Sequence, residues 1–342
     1  MLSFQQSPES FFVDEELFYE PQGQGSHLFC RIRKWSMSTR ALKRKISEQI
    51  GVPLAHIHHA GQKDQLATAT QWLSWPEAAQ KSSLKSGDGF EVIESHRHEH
   101  ALSIGHVKRN HFKLLLTAEE PQRVAVFLTE RQGSFPNLFG PQRFGQSLKQ
   151  VDTDHFVDLL RGPRSKNPNT ISVIQSWFFN LWLLRHLEGY GRSVAEDELW
   201  MRVGGKQFFE SDPDEEILRR FEIGEISPSG PLFGYKVKLR ASEQAFLAEM
   251  GLEAEAFRRW GKAAKGTRRP LFVRPSEYLA TPTEQGVTLA FGLPSGSYAT
   301  MLLTHLVAPE PLKQGLACWP DYSERARFLL PEPRLDHSEE AS

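Results

Sequence analysis

The stretch that most constrains the fold is His59–Trp72, where a glycine and a charged pair separate two segments that favour strands. Before it, Ala55–His59 can be extended. After it, Ala67–Leu73 alternates small or apolar with polar residues, the period of a half-buried strand. Gly61 opens the connection, and Lys63–Asp64 lies at its centre. The pattern predicts a tight strand connection, where a rigid scaffold often presents reactive groups. A solvated hairpin tip without a chemical role is the alternative.

Composition and length set the broad class. The 342 residues suffice for about two domains, and 39% hydrophobic with 24% charged residues is typical of a soluble globular protein. The net charge of −1 gives no global field that attracts nucleic acid, so basic surface must be local. Cys30 and Cys318 are too few for a disulfide framework or a thiolate metal site. We expect a reducing, cytoplasmic setting.

Two segments bear on targeting. Met1–Pro8 has neither a basic start nor an apolar run, so we expect no signal peptide. Ile171–Leu184 is the most apolar segment, but polar residues interrupt it and it is too short to span a bilayer. We therefore expect no membrane partner.

Upstream of the opening stretch, the pattern predicts two strands and a helix. Phe11–Val13 and His27–Arg33 favour strands. Ser38 is a candidate N-cap and Gly51 a candidate C-terminal stop. Between them the expected buried stripe is Leu42, Ile46 and Ile50. The helix also carries Arg40, Lys43, Arg44 and Lys45, which are as compatible with a plain solvated face as with a functional one.

Alternate histidines on a later strand, His96, His98 and His100, share one face and raise the possibility of a metal site. No matching cysteine or carboxylate cluster completes a ligand set. A polar strand edge is the favoured interpretation, and we expect neither metal nor cofactor.

A second unusual stretch is Asn137–Gly145, with two aromatic rings, two glycines, an asparagine and an arginine in nine residues. Such a loop suits an aromatic ring beside a base and an arginine beside a phosphate. An aromatic-anchored structural turn is the alternative. Earlier, Gly105–His111 reads as a basic turn leading into a strand.

The next part of the chain favours helices. Thr170–Glu188 predicts a helix that is apolar on most sides and hence buried. Ile226–Gly234 is dense in proline and glycine and predicts an irregular piece. Arg258–Arg269 is a basic run that we weigh slightly towards nucleic acid. Finally, Leu293–Thr300 is a turn that enters a helix, with Tyr298 at the helix start.

The usual catalytic signatures, namely a glycine-rich phosphate loop, a zinc helix and a nucleophile elbow, are missing from the sequence. What remains is a lone carboxylate with RNA-binding features. In this combination the chain resembles the TruD family of tRNA pseudouridine synthases up to about Pro309. The blocks that carry the resemblance, in the family's order, are Pro8–Val13, Gly23–His27, Ala60–Asp64 with Ala67–Thr68 and Gln71–Trp72, Gly105–Asn110, Asn137–Gly145 and Leu293–Thr300.

The resemblance implies an α+β fold, a pseudouridine synthase-like mixed β-sheet core with helices plus an inserted, mostly helical α/β domain. The core would comprise residues 1–162 and 272–320, and the insert residues 163–271. Residues 321–342 would form a flexible tail. A monomer is expected.

The implied reaction is the isomerisation of uridine to pseudouridine in tRNA, typically at position 13, without metal or cofactor. The base would be flipped, its glycosidic bond cleaved with Asp64 as nucleophile, and the uracil reattached through C5. A covalent route and a glycal route both stay open. Substrate binding falls to Phe11, Lys63, Asn137, Phe139 and Tyr298, with Lys63 also helping to keep the carboxylate ionised. RNA binding falls to Arg40, Lys108, Arg109 and Arg143.

Departures from the family pattern qualify this assignment. Gln5, Gln65 and Gln175 stand where members commonly carry basic residues, and Ser10 replaces an aspartate. These changes weaken the expected RNA binding while leaving Asp64 in place. The alternative function is therefore a catalytically weak paralogue that binds or remodels tRNA.

Overall fold

The computed structural model describes residues 2–140, 143–144, 153–165, 167, 169–190, 198–307 and 327–330. The chain divides into two compact units. The first comprises residues 1–132, 275–296 and 325–342, and the second comprises residues 133–274 and 297–324. These boundaries differ from those predicted for the catalytic core and the inserted domain. The division into a catalytic core and an insert is a functional one, and it stays a prediction.

The elements follow in chain order. The strands are β1 (Leu2–Gln5), β2 (Phe11–Leu17), β3 (His27–Lys34), β4 (His58–His59), β5 (Thr68–Pro76), β6 (Phe90–His98), β7 (Val107–Ala118), β8 (Phe135–Pro136), β9 (Leu199–Arg202), β10 (Phe208–Glu210), β11 (Ile226–Leu232), β12 (Thr267–Pro270), β13 (Phe272–Val273), β14 (Ser276–Thr283), β15 (Gly286–Pro294) and β16 (Arg327–Leu330). The α-helices are α1 (Thr39–Ile50), α2 (Pro121–Glu130), α3 (Thr153–Arg161), α4 (Thr170–Tyr190), α5 (Glu215–Glu222), α6 (Ala241–Glu249) and α7 (Ala299–Val307).

The first unit is built on one mixed sheet, in the order β14-β15-β7-β2-β5-β3-β6, with β4 added to β5 and with β1 paired to both β7 and β16. β2 and β5 run parallel, whereas the neighbouring pairs β2–β7 and β3–β5 are antiparallel. The prediction of a half-buried β5 is wrong. Trp72 packs in one apolar cluster and Leu73 in another, so packing on both sides of the sheet buries both faces of β5.

Helix α1 confirms its sequence signals. The Ser38 hydroxyl accepts a hydrogen bond from the Ala41 N–H at 3.2 Å, and Gly51 ends the helix with a φ of 72°. That angle favours glycine because a side chain would strain the left-handed backbone. The predicted stripe of Leu42, Ile46 and Ile50 is fully buried against the sheet. Truncating one of these side chains to alanine would cost about 2–5 kcal/mol of stability.

The second unit packs helices and a small sheet of order β10-β9-β11-β12. Helix α4 is apolar on most sides, as predicted. The irregular piece predicted around β11 is wrong, since this segment is a strand that pairs with β9 along its first half and with β12 along its second. Gly230 is needed there because a Cβ would lie 2.8 Å from the side chains of Leu271 and Trp182. Close packing thus overrides the local signal of proline and glycine.

The C-terminal region is only partly described. Within the predicted tail, Arg327–Leu330 forms β16 and pairs with β1, and the rest of residues 321–342 lies outside the described residues. Across the part of the chain that is described, no helix is both long and apolar enough to cross a membrane.

Candidate active site

The opening stretch forms a loop, Ala60–Ala67, which we call the Asp64 loop. It joins β4 and β5, which pair antiparallel with His59 opposite Leu73. The predicted strand connection is confirmed, although the loop is longer than a tight turn. The extended segment predicted before it is wrong in part, because Leu54–His56 is a 3₁₀ turn.

Lys63 points into the first unit. Its Nζ lies 2.5 Å from Glu15 Oε2 and donates to Asn110 Oδ1 at 2.8 Å. The other oxygen of Glu15 accepts from the Trp72 N–H at 3.1 Å. The side chains of Lys63 and Glu15 are 6% and 0% exposed. Lys63 thus anchors the loop to β2 and β7, and its predicted contact with substrate gains no support.

The main chain of the Asp64 loop is held by side chains from β3 and α1. The N–H of Lys63 donates to Thr39 Oγ1 at 2.9 Å. The buried ammonium of Lys34 donates to the carbonyl of Asp64, and also to the carbonyl of Met37 at 2.7 Å. Consecutive residues of the loop are therefore fixed at their backbone, while the residue Asp64 itself is exposed.

The electrostatics of Asp64 combine opposing effects. Desolvation by the surrounding protein raises the pKa of its carboxyl, and the charges of Lys34 and then Lys63 lower it. The net direction is upward, although the residue also contacts solvent, because the desolvation of the carboxyl outweighs the two lysine charges. Lys63 therefore favours ionisation, as predicted, but does not fully offset the desolvation. Burial lowers the pKa of Lys34 to about 8.

In the second unit, four of the predicted residues, Asn137, Phe139, Arg143 and Tyr298, lie close together. The Phe139 cluster comprises Asn137, Phe139, Arg143, Arg269 and Tyr298. Tyr298 meets the Phe139 ring edge-on at a centroid distance of 6.0 Å. The guanidinium carbons of Arg269 and Arg143 lie 4.1 Å and 5.7 Å from that ring centroid. Cations over a ring face are attracted by its quadrupole, so the arrangement fixes the ring.

Asn137 is bound tightly to β12. Its side-chain amide donates to the Pro270 carbonyl at 3.0 Å, and its Oδ1 accepts from Arg269 at 2.7 Å. Arg269 also donates to the Asn137 carbonyl at 3.0 Å. Burial lowers the pKa of Arg269 to about 10, so the guanidinium stays charged at neutral pH. Sequence reasoning named Asn137 as a candidate and did not identify Arg269 as its partner.

Asn180 on α4 is a second missed residue. It is fully buried, and its side chain accepts from the Phe139 N–H at 2.8 Å and donates to the Phe139 carbonyl at 3.0 Å. One amide thus satisfies both backbone groups of Phe139. The available signal was a polar residue within an otherwise apolar helix.

Phe11 lies in the core of the first unit rather than at an open surface. It is 3% exposed and packs against Phe4 and Phe112 at centroid distances of 6.1 Å and 5.9 Å. Its predicted contact with substrate gains no support from this position.

The predicted RNA-binding residues differ in their partners. Arg40 is exposed on α1. Lys108 pairs with Glu16 at 2.5 Å, and Arg109 lies 3.4 Å from both Glu16 and Glu277. Phosphate contacts by these two cations would require exchange of their carboxylate partners. In the second unit, the Arg143 side chain donates to the Ser176 hydroxyl at 3.0 Å.

The basic run Arg258–Arg269 is largely engaged within the protein. Arg258 pairs with Glu255, and Arg268 is buried with Glu243 at 2.6 Å. The interpretation that weighed the run towards nucleic acid therefore does not hold for Arg268, which is a structural residue.

His96 and His98, which lie on β6, and His100, which follows the end of that strand, do not assemble a ligand set. Among the described residues, which include the whole of that strand, no group of three or more histidine, cysteine or acidic side chains is arranged to hold a metal ion. The metal hypothesis for His96, His98 and His100 thus gains no support.

Known proteins are similar to this chain in sequence and in fold. A family model described as tRNA pseudouridine synthase D (TruD) matches residues 2–157 and 170–306. A curated protein of that name from Anaeromyxobacter sp. is 36% identical over 327 residues, covering 89% of this chain and 92% of the relative. Another from Thermus thermophilus is 35% identical over 322 residues, covering 89% and 88%. A Methanosarcina mazei crystal structure described as TruD has a TM-score of 0.64 at 22% identity, covering 89% and 93%, and supports the fold alone.

The chain is thus similar along most of its length to proteins named tRNA pseudouridine synthase D. The chain belongs to the TruD family. The predicted family, the α+β fold and the enzyme class, an isomerase of the tRNA pseudouridine synthase type, are confirmed.

Proposed function

We propose that this protein isomerises uridine to pseudouridine in tRNA, at position 13, with Asp64 as the nucleophile. The observation that carries the proposal is the anchoring of the Asp64 loop. The loop backbone is held by Lys34 and Thr39. Within the described residues, no hydrogen bond occupies the carboxylate oxygens of Asp64. The carboxylate is thereby positioned yet available for chemistry.

The chemistry follows from that placement. A uridine inside a folded RNA must leave its stack before its sugar can meet a protein side chain. The ionised carboxylate then either attacks C1′ or stabilises the cationic character that develops there as the glycosidic bond breaks. The freed uracil turns and its C5 bonds to C1′; C5 then loses its proton to solvent and N1 takes one up, so that the product is an isomer of the substrate. Only the ionised form of Asp64 serves either route.

Base binding is proposed for Phe139, Asn137 and Tyr298. The Phe139 ring is clamped at its backbone by Asn180 and along its face by Arg269. A fixed ring stacks on a base at lower entropic cost, and such stacking is worth about 1–3 kcal/mol per base. Arg40, Lys108 and Arg109 would contact phosphates, which position RNA without reading its sequence. We further propose that the protein acts as a cytoplasmic monomer without metal or cofactor.

The test uses unmodified tRNA transcripts, the purified protein and chemical mapping of pseudouridine. We expect modification at position 13 by the native protein. Asp64→Asn should lower turnover by about 10⁴-fold or more while tRNA affinity stays nearly unchanged. Asp88→Asn is the matched control, because Asp88 is an exposed carboxylate paired with Lys45.

Other outcomes discriminate among the alternatives. A native protein that binds tRNA but forms no pseudouridine would favour the alternative of a tRNA-binding paralogue. That alternative is motivated by Gln5, Gln65 and Gln175, which stand at positions that are commonly basic in the family. Pseudouridine at another position would overturn only the proposed site in tRNA. Activity retained by Asp64→Asn would reject the nucleophile. Light scattering on the purified protein tests the monomer.

A further inference from the structure

Lys34 is a buried lysine, and the proposed reaction assigns no role to its charge. It ends β3 and is 0% exposed. Its neighbours across the sheet are Ala69 on β5 and Phe90 on β6, which carry no charge. Burying an ammonium in such surroundings is costly unless strong partners satisfy it.

The partners of Lys34 are two carbonyls, those of Asp64 and Met37. Among the described residues, no carboxylate forms an ion pair with it. Lys63, by contrast, shares its charge with Glu15. The charge of Lys34 is therefore not neutralised by a direct ion pair, and the acidic group that it influences is Asp64.

We propose that Lys34 is the positioning residue of the nucleophile: its ammonium holds the main chain of Asp64 and places a positive charge beside the Asp64 carboxylate. The proposal rests on the proposed function, since it gives Lys34 a purpose in the same reaction. Lys34 acts through Asp64 and has no assigned contact with RNA.

The electrostatics support this geometry. Of the two ammonium groups that lower the pKa of Asp64 against desolvation, Lys34 has the larger effect. Burial lowers the pKa of Lys34 to about 8, with the charge of Lys63 lowering it and that of Asp64 raising it. Lys34 should therefore lose its proton in mildly alkaline solution. Above that pH the ammonium becomes a neutral amine, its hydrogen bond to the Asp64 carbonyl loses the assistance of the charge, and catalysis should weaken.

The first experiment measures single-turnover pseudouridine formation at saturating enzyme from about pH 5.5 to 9.5, a range that brackets the titration of a lysine with a lowered pKa. The native rate should decline above about pH 8. Lys34→Arg should move this decline to higher pH by more than about one unit, because arginine stays charged. Lys34→Met should lower the rate at pH 7 by about 100-fold and abolish the decline, with tRNA affinity changed by less than about 3-fold.

The matched control is Lys238→Met. Lys238 is an exposed lysine paired with Glu210 in the second unit, so its loss should leave the rate and the pH profile unchanged. The native profile and the arginine variant keep the test valid if Lys34→Met fails to fold. A native rate that stays flat to the alkaline end of the range, or a methionine variant with the native rate, would overturn the proposal. So would a slower methionine variant that keeps the alkaline decline.

A second readout is independent of activity. NMR of the protein with ¹³C-labelled lysine should show one signal titrating near pH 8 that Lys34→Arg removes. In Asp64→Asn the same signal should titrate at lower pH, because the neighbouring negative charge is gone. An unchanged titration would overturn the coupling of the two groups. Absence of pseudouridine at every pH, with the coupling intact, would reject the proposed function and leave the coupling standing.

Discussion

The Asp64 loop and the Phe139 cluster solve the same problem by different means. Each presents a side chain from an irregular segment whose backbone is fixed by buried polar groups. In the loop, ammonium and hydroxyl groups hold consecutive residues. In the cluster, the amide of Asn180 and the guanidinium of Arg269 hold the chain, and aromatic rings fill the remaining space.

The two regions differ in how far the proposed functional side chain is exposed to solvent. Asp64 is exposed, and all of its described anchors act on the main chain or on Lys63. Phe139 is only 8% exposed, so its ring is both an anchor and the proposed functional group. In the Asp64 loop, a substitution should therefore be able to change the reaction rate without changing the stability, or the reverse. In the Phe139 cluster, a substitution of Phe139 should change both.

The largest expected effect tests the anchoring of the loop. Lys63→Met leaves the Glu15 carboxylate buried without its ammonium partner, and breaking a buried pair in this way costs about 3–5 kcal/mol. Urea denaturation should show that loss. Adding Glu15→Gln should recover part of it, because the orphaned charge is then gone.

The control for this prediction is Lys45→Met. Lys45 pairs with Asp88 on the surface, where an ion pair contributes about 0–1 kcal/mol. If Lys63→Met were as mild as this control, the loop would not depend on its buried pair, and the contrast between the two regions would weaken.

An intermediate effect is expected in the cluster. Phe139→Leu removes the ring but keeps an apolar side chain, so single-turnover pseudouridine formation should fall by about 10- to 100-fold, from the loss of base stacking. Stability should fall by about 1–3 kcal/mol in the same variant, because the ring also packs against Phe179.

Phe233→Leu is the matched control for that variant. Phe233 is fully buried in the same unit and packs against Phe246 and Phe178, away from the cluster. It should lose comparable stability and keep its rate. Equal losses of rate in the two variants would mean that Phe139 acts only through folding.

Sequence reasoning succeeded where the signal is local. Ser38 and Gly51 bound α1 because capping depends on neighbouring residues. The position of Asp64 on a strand connection was also predictable. Lys34, Asn180 and Arg269 were missed as supports because their partners lie 30 to 132 residues away and only folding brings them together.

The same reason explains the errors in the fold. β11 contains two prolines and a glycine, which locally favour irregular chain, yet it pairs with two strands and packs beneath α4. β5 alternates as a half-buried strand would, yet Leu73 and Trp72 pack in separate apolar clusters and both of its faces are buried. In both cases tertiary contacts outweigh the periodic pattern.

The smallest expected effect is the contribution of the Asp64 carboxyl to the stability of the fold. Desolvation raises the pKa of Asp64 from its ordinary 3.8, so the folded protein binds this proton more tightly than the unfolded chain does. That contribution to stability is present below the ordinary value and is lost as pH rises through the raised value. At pH 7 the ionised carboxylate therefore destabilises the fold.

Asp64→Asn should consequently be slightly more stable than the native protein at pH 7, by less than about 1 kcal/mol, because solvent screens an exposed group. The difference should shrink as the pH is lowered and the native carboxyl becomes protonated. Urea midpoints at several pH values measure it, with Asp88→Asn as a control that gains nothing. If the Asp64→Asn variant were less stable than the native protein at neutral pH, the charge of Asp64 would be holding the loop in place. Asp64 would then resemble Phe139, because one side chain would serve both the reaction and the stability of the fold.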